Sequence, residues 1–212
     1  MRPLLLVAAL LFASFTSTAS YAQVQEYKTD YSCAATEIQG VDFNYCIRNV
    51  DRTKNKDIVY FFHGLMGSEK TWFTQVLGTK TIERMWHYAG YDPTVITISF
   101  GGVWLLVNNE KYPLIPFFAN AMVPFLEQQV GGLNGGRRFL IGQSMGGFNA
   151  AEASLQLPGM FQKVALLCPA ITTVGPYDSQ DDIDAYMQRT KADPRLVKLM
   201  LDISKQVFSD EA

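Results

Sequence analysis

From residue 31 onward the chain is written in short apolar runs separated by glycine, proline and charge. Tyr31–Ile38 and Val41–Val50 read as two strands around a turn at Gly40. After the charged turn Asp51 to Lys56, the β-branched and aromatic run Ile58–Phe62 reads as a third strand. A helix is expected within 69–89, where Trp72, Phe73, Ile82, Met85 and Trp86 recur at helical spacing. Thr94–Phe100 is again strand-like and stops at Gly101-Gly102. A long apolar segment follows, with a helix ending near Val130, and two glycine pairs at 131–132 and 135–136 then break the chain. Phe139-Leu140-Ile141 is an apolar run fit for a buried strand, and Phe148 to Gln156 is rich in helix formers. Val164 to Ala170 reads as another buried strand. Ala185–Lys191 and Pro194–Phe208 read as amphipathic helices. The second carries Leu196, Leu199, Met200 and Ile203 on a face expected to pack on the core rather than line a pocket. Strands alternating with helices predict an α/β class with a mainly parallel sheet, helices on both faces and an N-terminal antiparallel hairpin. Chemistry in such sheets sits at the carboxyl ends of the strands.

The first residues belong to a different pattern. Arg2, the apolar run Leu4 to Phe15 and the small-residue stretch ending Ser20-Tyr21-Ala22 predict a secretory signal peptide over 1–22, cleaved after Ala22. The run is too short to span a bilayer, and no transmembrane segment is expected in the mature chain. Residues 23–212 then form one domain, with 172–212 a candidate helical cap. Losing Arg2 takes the basic count from 18 to 17 against 20 acids, a charge of −3, and no basic patch argues for nucleic acid. Export to an oxidising compartment suits a disulfide between Cys33 and Cys46 across the first hairpin. Cys168, at the end of its strand, is expected to pack as a small hydrophobe. No Cys/His cluster has metal-ligand spacing. The aspartates at 178, 181, 182 and 184 lack the glycine and terminal glutamate of a calcium loop and read as a solvated loop.

The densest chemistry lies in Arg138-Phe139-Leu140-Ile141-Gly142-Gln143-Ser144-Met145-Gly146-Gly147. A strand, a Gly-x-Ser-x-Gly turn and a helix make a nucleophile elbow, which names Ser144 as the nucleophile. Glycines on either side let strand and helix approach, and the helix N-terminus favours negative charge forming nearby. The N–H of Met145 is a candidate oxyanion donor. A second donor is expected from the loop His63-Gly64-Leu65-Met66 after the third strand, from Leu65 or alternatively Met66. His63, Gly64, Gln143 and Trp104 are candidates for contact with substrate. Trp104 to Val107 suit an acyl pocket and the core equally well.

These two motifs, in this order, resemble the α/β-hydrolase superfamily over roughly residues 30 to 170. From about Pro113 to Ile171 the chain is most similar to esterases of the esterase D and antigen 85 type. The matching residues are Met122-Val123-Pro124-Phe125-Leu126-Glu127, the elbow, Leu157-Pro158-Gly159-Met160-Phe161 and Val164 to Ala170. The resemblance implies a secreted serine hydrolase that cleaves carboxylic esters through an acyl-enzyme. Its partner is a small-molecule ester or acyl substrate, with no metal or organic cofactor. Acyl transfer of the antigen 85 type, or a non-catalytic binding protein on the same fold, are the alternatives.

The superfamily orders its triad Ser, acid, His, and here the only histidines are His63 and His87, both before Ser144. His63 belongs to the oxyanion loop and His87 to a helix. Asp178, Asp182 and Asp202 follow no recognisable strand, so none is assigned as the acid. The expectation is a fold incomplete at its C-terminus, lacking roughly 60–120 residues that would carry the last strands.

Overall fold

The structure is a computed structural model that describes residues 29–74, 78–108 and 113–207; the signal-peptide segment expected over 1–22 lies outside the described residues. Six strands form one sheet: β1 (Tyr31–Ile38), β2 (Val41–Arg48), β3 (Ile58–Phe62), β4 (Thr94–Ser99), β5 (Arg138–Gln143) and β6 (Lys163–Leu167). Their spatial order is β1-β2-β4-β3-β5-β6. β1 and β2 pair antiparallel, as do β2 and β4, while β4, β3, β5 and β6 run parallel. This is the mainly parallel α/β sheet with the N-terminal antiparallel hairpin expected from the sequence. Cys33 lies opposite Cys46 in the hairpin register, and the two form a disulfide with Cα atoms 4.0 Å apart.

β3 is the axis of the molecule. All five of its residues are buried, and they alternate between faces as a strand must. Ile58, Tyr60 and Phe62 pack with Phe118, Met122, Leu126 and Ala150 on one side. Val59 and Phe61 pack with Trp72 and Phe73 on the other. The second face is covered by α1 (Thr71–Thr74) and α2 (Thr79–Tyr88), two helices where the periodicity predicts one. Met85, assigned to the packed face by spacing, is 65% exposed. The first face is covered by α3 (Leu114–Phe117), a π-helical turn (Phe118–Met122), α4 (Val123–Gln129) and α5 (Met145–Gln156). Pro124 has no N–H to give to the preceding turn, and the helix runs through the π turn just before it.

The amino ends of the parallel strands are tied by ion pairs. Arg137 donates to both carboxylate oxygens of Asp57, at 3.2 and 2.7 Å, and its backbone N–H adds a third bond at 2.9 Å. Arg138 holds Glu127 in the same forked way, at 2.5 and 3.0 Å, and Tyr60 donates its hydroxyl to Glu127 at 3.3 Å.

Several expectations fail beyond β5. β6 is not buried: four of its five residues are exposed, because it is the edge strand of the described sheet. Cys168 is accordingly exposed rather than packed. The acidic run starts α6 (Gln180–Thr190) instead of forming a loop, with Ser179 as its N-cap accepting the N–H of Asp182. α7 (Pro194–Val207) follows. Its Ile203 is buried in the core, but Leu196 and Leu199 are 55% and 46% exposed. Among the described residues no helix is long and apolar enough to cross a membrane, and no group of side chains could hold a metal ion.

Candidate active site

The chain lays β4 on one side of β3 and then returns to lay β5 on the other. The loops leaving β3 and β5 therefore diverge, and a crevice opens between them at the carboxyl ends of the strands. Ser144 stands there, between β5 and α5, at φ 52° and ψ −115°. A non-glycine residue in that region costs about 1–3 kcal/mol and persists only where its surroundings hold it. They do so on several sides. The Ser144 N–H donates to Leu167 O, and Ser144 O accepts from the N–H groups of Gly147, Phe148 and Ala170. The turn is sharp enough that a Cβ on Gly142 would lie 2.0 Å from Gly146 O, and one on Gly146 would lie 2.1 Å from Phe62 O. Only glycine fits at either place.

The loop after β3 meets this turn. A Cβ built on Gly64 would come within 3.3 Å of Ser144 Cβ and 3.4 Å of Gln143 O, so Gly64 and Gln143 both border the serine. The Met145 N–H, first in α5, has no preceding helical carbonyl to receive it. The two loop donors are not equivalent. Met66 donates its N–H to Gly102 O at 2.7 Å, whereas no described hydrogen bond takes up the N–H of Leu65. Met66 is thus committed to the loop after β4.

His63 and Trp104, candidates for substrate contact, are both buried, at 0% and 5% exposure. The indole N–H of Trp104 donates to His63 Nε2 at 3.1 Å. Indole can only donate, so the proton of the neutral imidazole is on Nδ1, which donates to Gly64 O at 2.7 Å. Ser99 Oγ lies 2.8 Å from Nε2. Burial pushes the imidazole pKa down, against the opposing effects of the Gly64 hydrogen bond and Glu69. His63 is therefore a brace for the oxyanion loop and has no free nitrogen for substrate. The peptide between Gly64 and Leu65 carries its C=O and N–H on opposite sides. Holding Gly64 O toward His63 fixes the direction of the Leu65 N–H.

A residue absent from the sequence-based candidates completes the brace. Asn149 of α5 is fully buried. It accepts the Leu106 N–H at 2.8 Å and donates to Trp104 O at 3.2 Å. A lone amide among the small residues Gly146, Gly147, Ala150 and Ala153 on the buried side of the elbow helix was the available signal. The other histidine, His87, lies with Asp92 just before β4, at the opposite end of the sheet from Ser144.

Beside Ser144 is a cavity of about 210 Å³. Cys168 to Thr172 form one wall, and Tyr186, Leu196, Val197 and Met200 of α6 and α7 form another. The face of α7 expected to seal the core thus supplies part of a pocket. All four residues of the run Trp104 to Val107 are buried in the core, and Leu105 also borders a cavity.

Comparison with known proteins bears on the fold. A ferulic acid esterase superposes with a TM-score of 0.61 at 19% identity, covering 77% of this chain and 68% of that one. A mutant feruloyl esterase module from Clostridium thermocellum, complexed with sinapinate, gives 0.54 at 18% identity, over 79% and 64%. A ferulic acid esterase from Anaeromyces mucronatus in complex with ferulic acid gives 0.55 at 17%, over 74% and 64%. The chain therefore spans about two thirds of the length of these structures, and likeness at such identity shows the shared fold. Comparison with curated proteins returns no match. The family model described as "Putative esterase" matches residues 43–205, most of the chain. The protein belongs to that esterase family, within the α/β-hydrolase superfamily.

Proposed function

We propose that the protein is an exported serine hydrolase that cleaves carboxylic esters. Ser144 Oγ attacks the acyl carbon, the ester C–O bond breaks, and the alcohol leaves with a proton. Water then attacks the acyl-serine and releases the acid. Met145 N–H and Leu65 N–H receive the oxyanion, and loss of one such donor typically costs about 3–4 kcal/mol of transition-state stabilisation. The observation that carries this reading is the strained Ser144 backbone, held at the mouth of an apolar cavity beside the uncommitted Leu65 N–H. Neither described histidine is placed to take the serine proton, so the reading leaves that step to a group outside the described residues. Export is supported by the leader pattern of residues 1–22 and by the Cys33–Cys46 disulfide, which persists in oxidising compartments.

A fluorophosphonate probe tests the assignment, because it reacts rapidly only with an activated serine. One adduct, mapped to Ser144 and absent from Ser144→Ala, is the expected result. Equal labelling of the variant, or none of the parent, overturns it.

A further inference from the structure

A second cavity adjoins the one at Ser144. It measures about 190 Å³ and lies between Leu105, Phe148 and Val174. The two share the wall Ala170 to Thr172 on one side and Met200 with Leu201 on the other. Met200 and Leu201 thus border both the chamber at the serine and the chamber next to it.

The lining limits what either chamber accepts. No charged side chain borders the first chamber or the second. Two of the hydroxyls that border them, those of Thr172 and Ser204, are committed within the chain, while Ser144 and the Tyr186 phenol also border the first chamber. Thr172 Oγ1 donates to Val174 O at 3.0 Å and accepts the Val174 N–H at 2.9 Å. Ser204 donates to Met200 O at 2.8 Å. Away from Ser144 and the Tyr186 phenol, a polar or charged group placed here would lose its water without gaining a partner. An apolar group would gain up to about 0.8 kcal/mol per buried methylene. For scale, an apolar cavity of about 150 Å³ holds benzene. The chamber at Ser144 is therefore sized for an acyl group of roughly six to eight carbons, and the two chambers together for a group about twice that size.

We infer that the α6–α7 pair builds the acyl-binding site, that this site takes an uncharged aliphatic acyl group of medium length, and that Met200 and Leu201 set the length limit. The inference rests on Ser144 being the reacting residue only for the word acyl; the binding preference itself is independent of turnover.

The test is therefore a binding series read alongside serine labelling. Butanamide, hexanamide, octanamide and decanamide, neutral and resistant to hydrolysis, are titrated calorimetrically into the full chain. Affinity is expected to rise up to about tenfold for each two carbons through octanamide and then level off. Met200→Ala should extend the rise to decanamide. Met200→Trp should remove the advantage of octanamide over butanamide. Ferulamide, whose phenol would lose its water among mostly apolar walls, should bind more weakly than octanamide. Affinity that is flat with chain length, a length limit unmoved in Met200→Ala, or tighter binding of ferulamide overturns the inference. A length preference without fluorophosphonate labelling keeps the pocket and sinks the serine reading. Labelling with no length preference does the reverse.

Discussion

β3 and β6 are each five residues long, each apolar over at least four of them, and each a parallel neighbour of β5, yet they end in opposite environments. Every residue of β3 is buried. In β6, Leu166 and Leu167 remain 41% and 40% exposed. Hydropathy does not distinguish Val164-Ala165-Leu166-Leu167 from Ile58-Val59-Tyr60-Phe61-Phe62. Position does: β3 has a strand on each side and helices on both faces, whereas among the described residues β6 has a strand on one side only. An apolar run states what a segment tolerates, and the topology decides how much of that tolerance is used.

The largest consequence is expected at β3. Phe62→Ala removes a fully buried ring that packs edge-on against Trp104 and Phe118. Because helices and sheet fix the surroundings, the cavity cannot collapse, and the loss should reach about 3–5 kcal/mol in urea unfolding. A cost below about 1 kcal/mol would mean that β3 is not the axis of the core.

A smaller effect is expected at the amino ends of the strands. Glu127→Ala leaves Arg138 and the Tyr60 hydroxyl without their shared partner. Burial, with the neighbouring carboxylate adding to it, already pushes the Tyr60 phenol well above its usual range. Arg138 keeps 28% of its side-chain surface in water, so the loss should sit nearer 2 than 5 kcal/mol. Glu127→Gln, which keeps an acceptor, should recover part of it. Equal losses in the two variants would show that the charge matters and the hydrogen bonds do not.

What could be seen from the sequence follows the same division between local and topological information. The elbow was legible because Gly142, Ser144 and Gly146 lie within five residues and the reason for each is steric and local. The hairpin was legible because a turn at Gly40 sets Cys33 opposite Cys46. Asn149 was not, since its partners are the backbone of residues 104 and 106, brought near only by the fold. Nor was the choice between Leu65 and Met66, which turns on one bond from Met66 to Gly102 across two loops. The exposure of β6 and the pocket-lining role of Leu196 and Met200 depend on which strands and helices are neighbours.

His63 separates a brace from a base by its pH dependence. Its folded-state pKa lies below the unfolded value of about 6.5 because burial disfavours the charged ring. As pH falls through 6.5 the unfolded chain takes up a proton that the folded chain refuses. The contribution is thus fully present above that pH and is lost as pH drops toward the folded value. His63→Asn, whose amide can still donate to Gly64 O, should be less stable at pH 7 and should lose less stability between pH 7 and 5 than the parent. An unchanged slope would mean that the ring takes up its proton as readily in the folded chain as in the unfolded one, contradicting its burial and its acceptance of the Trp104 N–H.

The smallest expected effect is the one that most sharpens the contrast between the strands. Leu166→Ala, at a position opposite Gly142 in the sheet register, removes side-chain surface of which much is already in water. Changes at such positions usually fall within about 0.5 kcal/mol. Measured beside Phe62→Ala, the pair should therefore differ several-fold in free energy although both delete an apolar side chain from a neighbour of β5. A Leu166→Ala loss approaching that of Phe62→Ala would mean that β6 is covered in solution by a surface outside the described residues. Repeating the melt across a range of protein concentrations would then tell a second copy of the chain, whose cover is diluted away, from polypeptide of the same chain, whose cover is not.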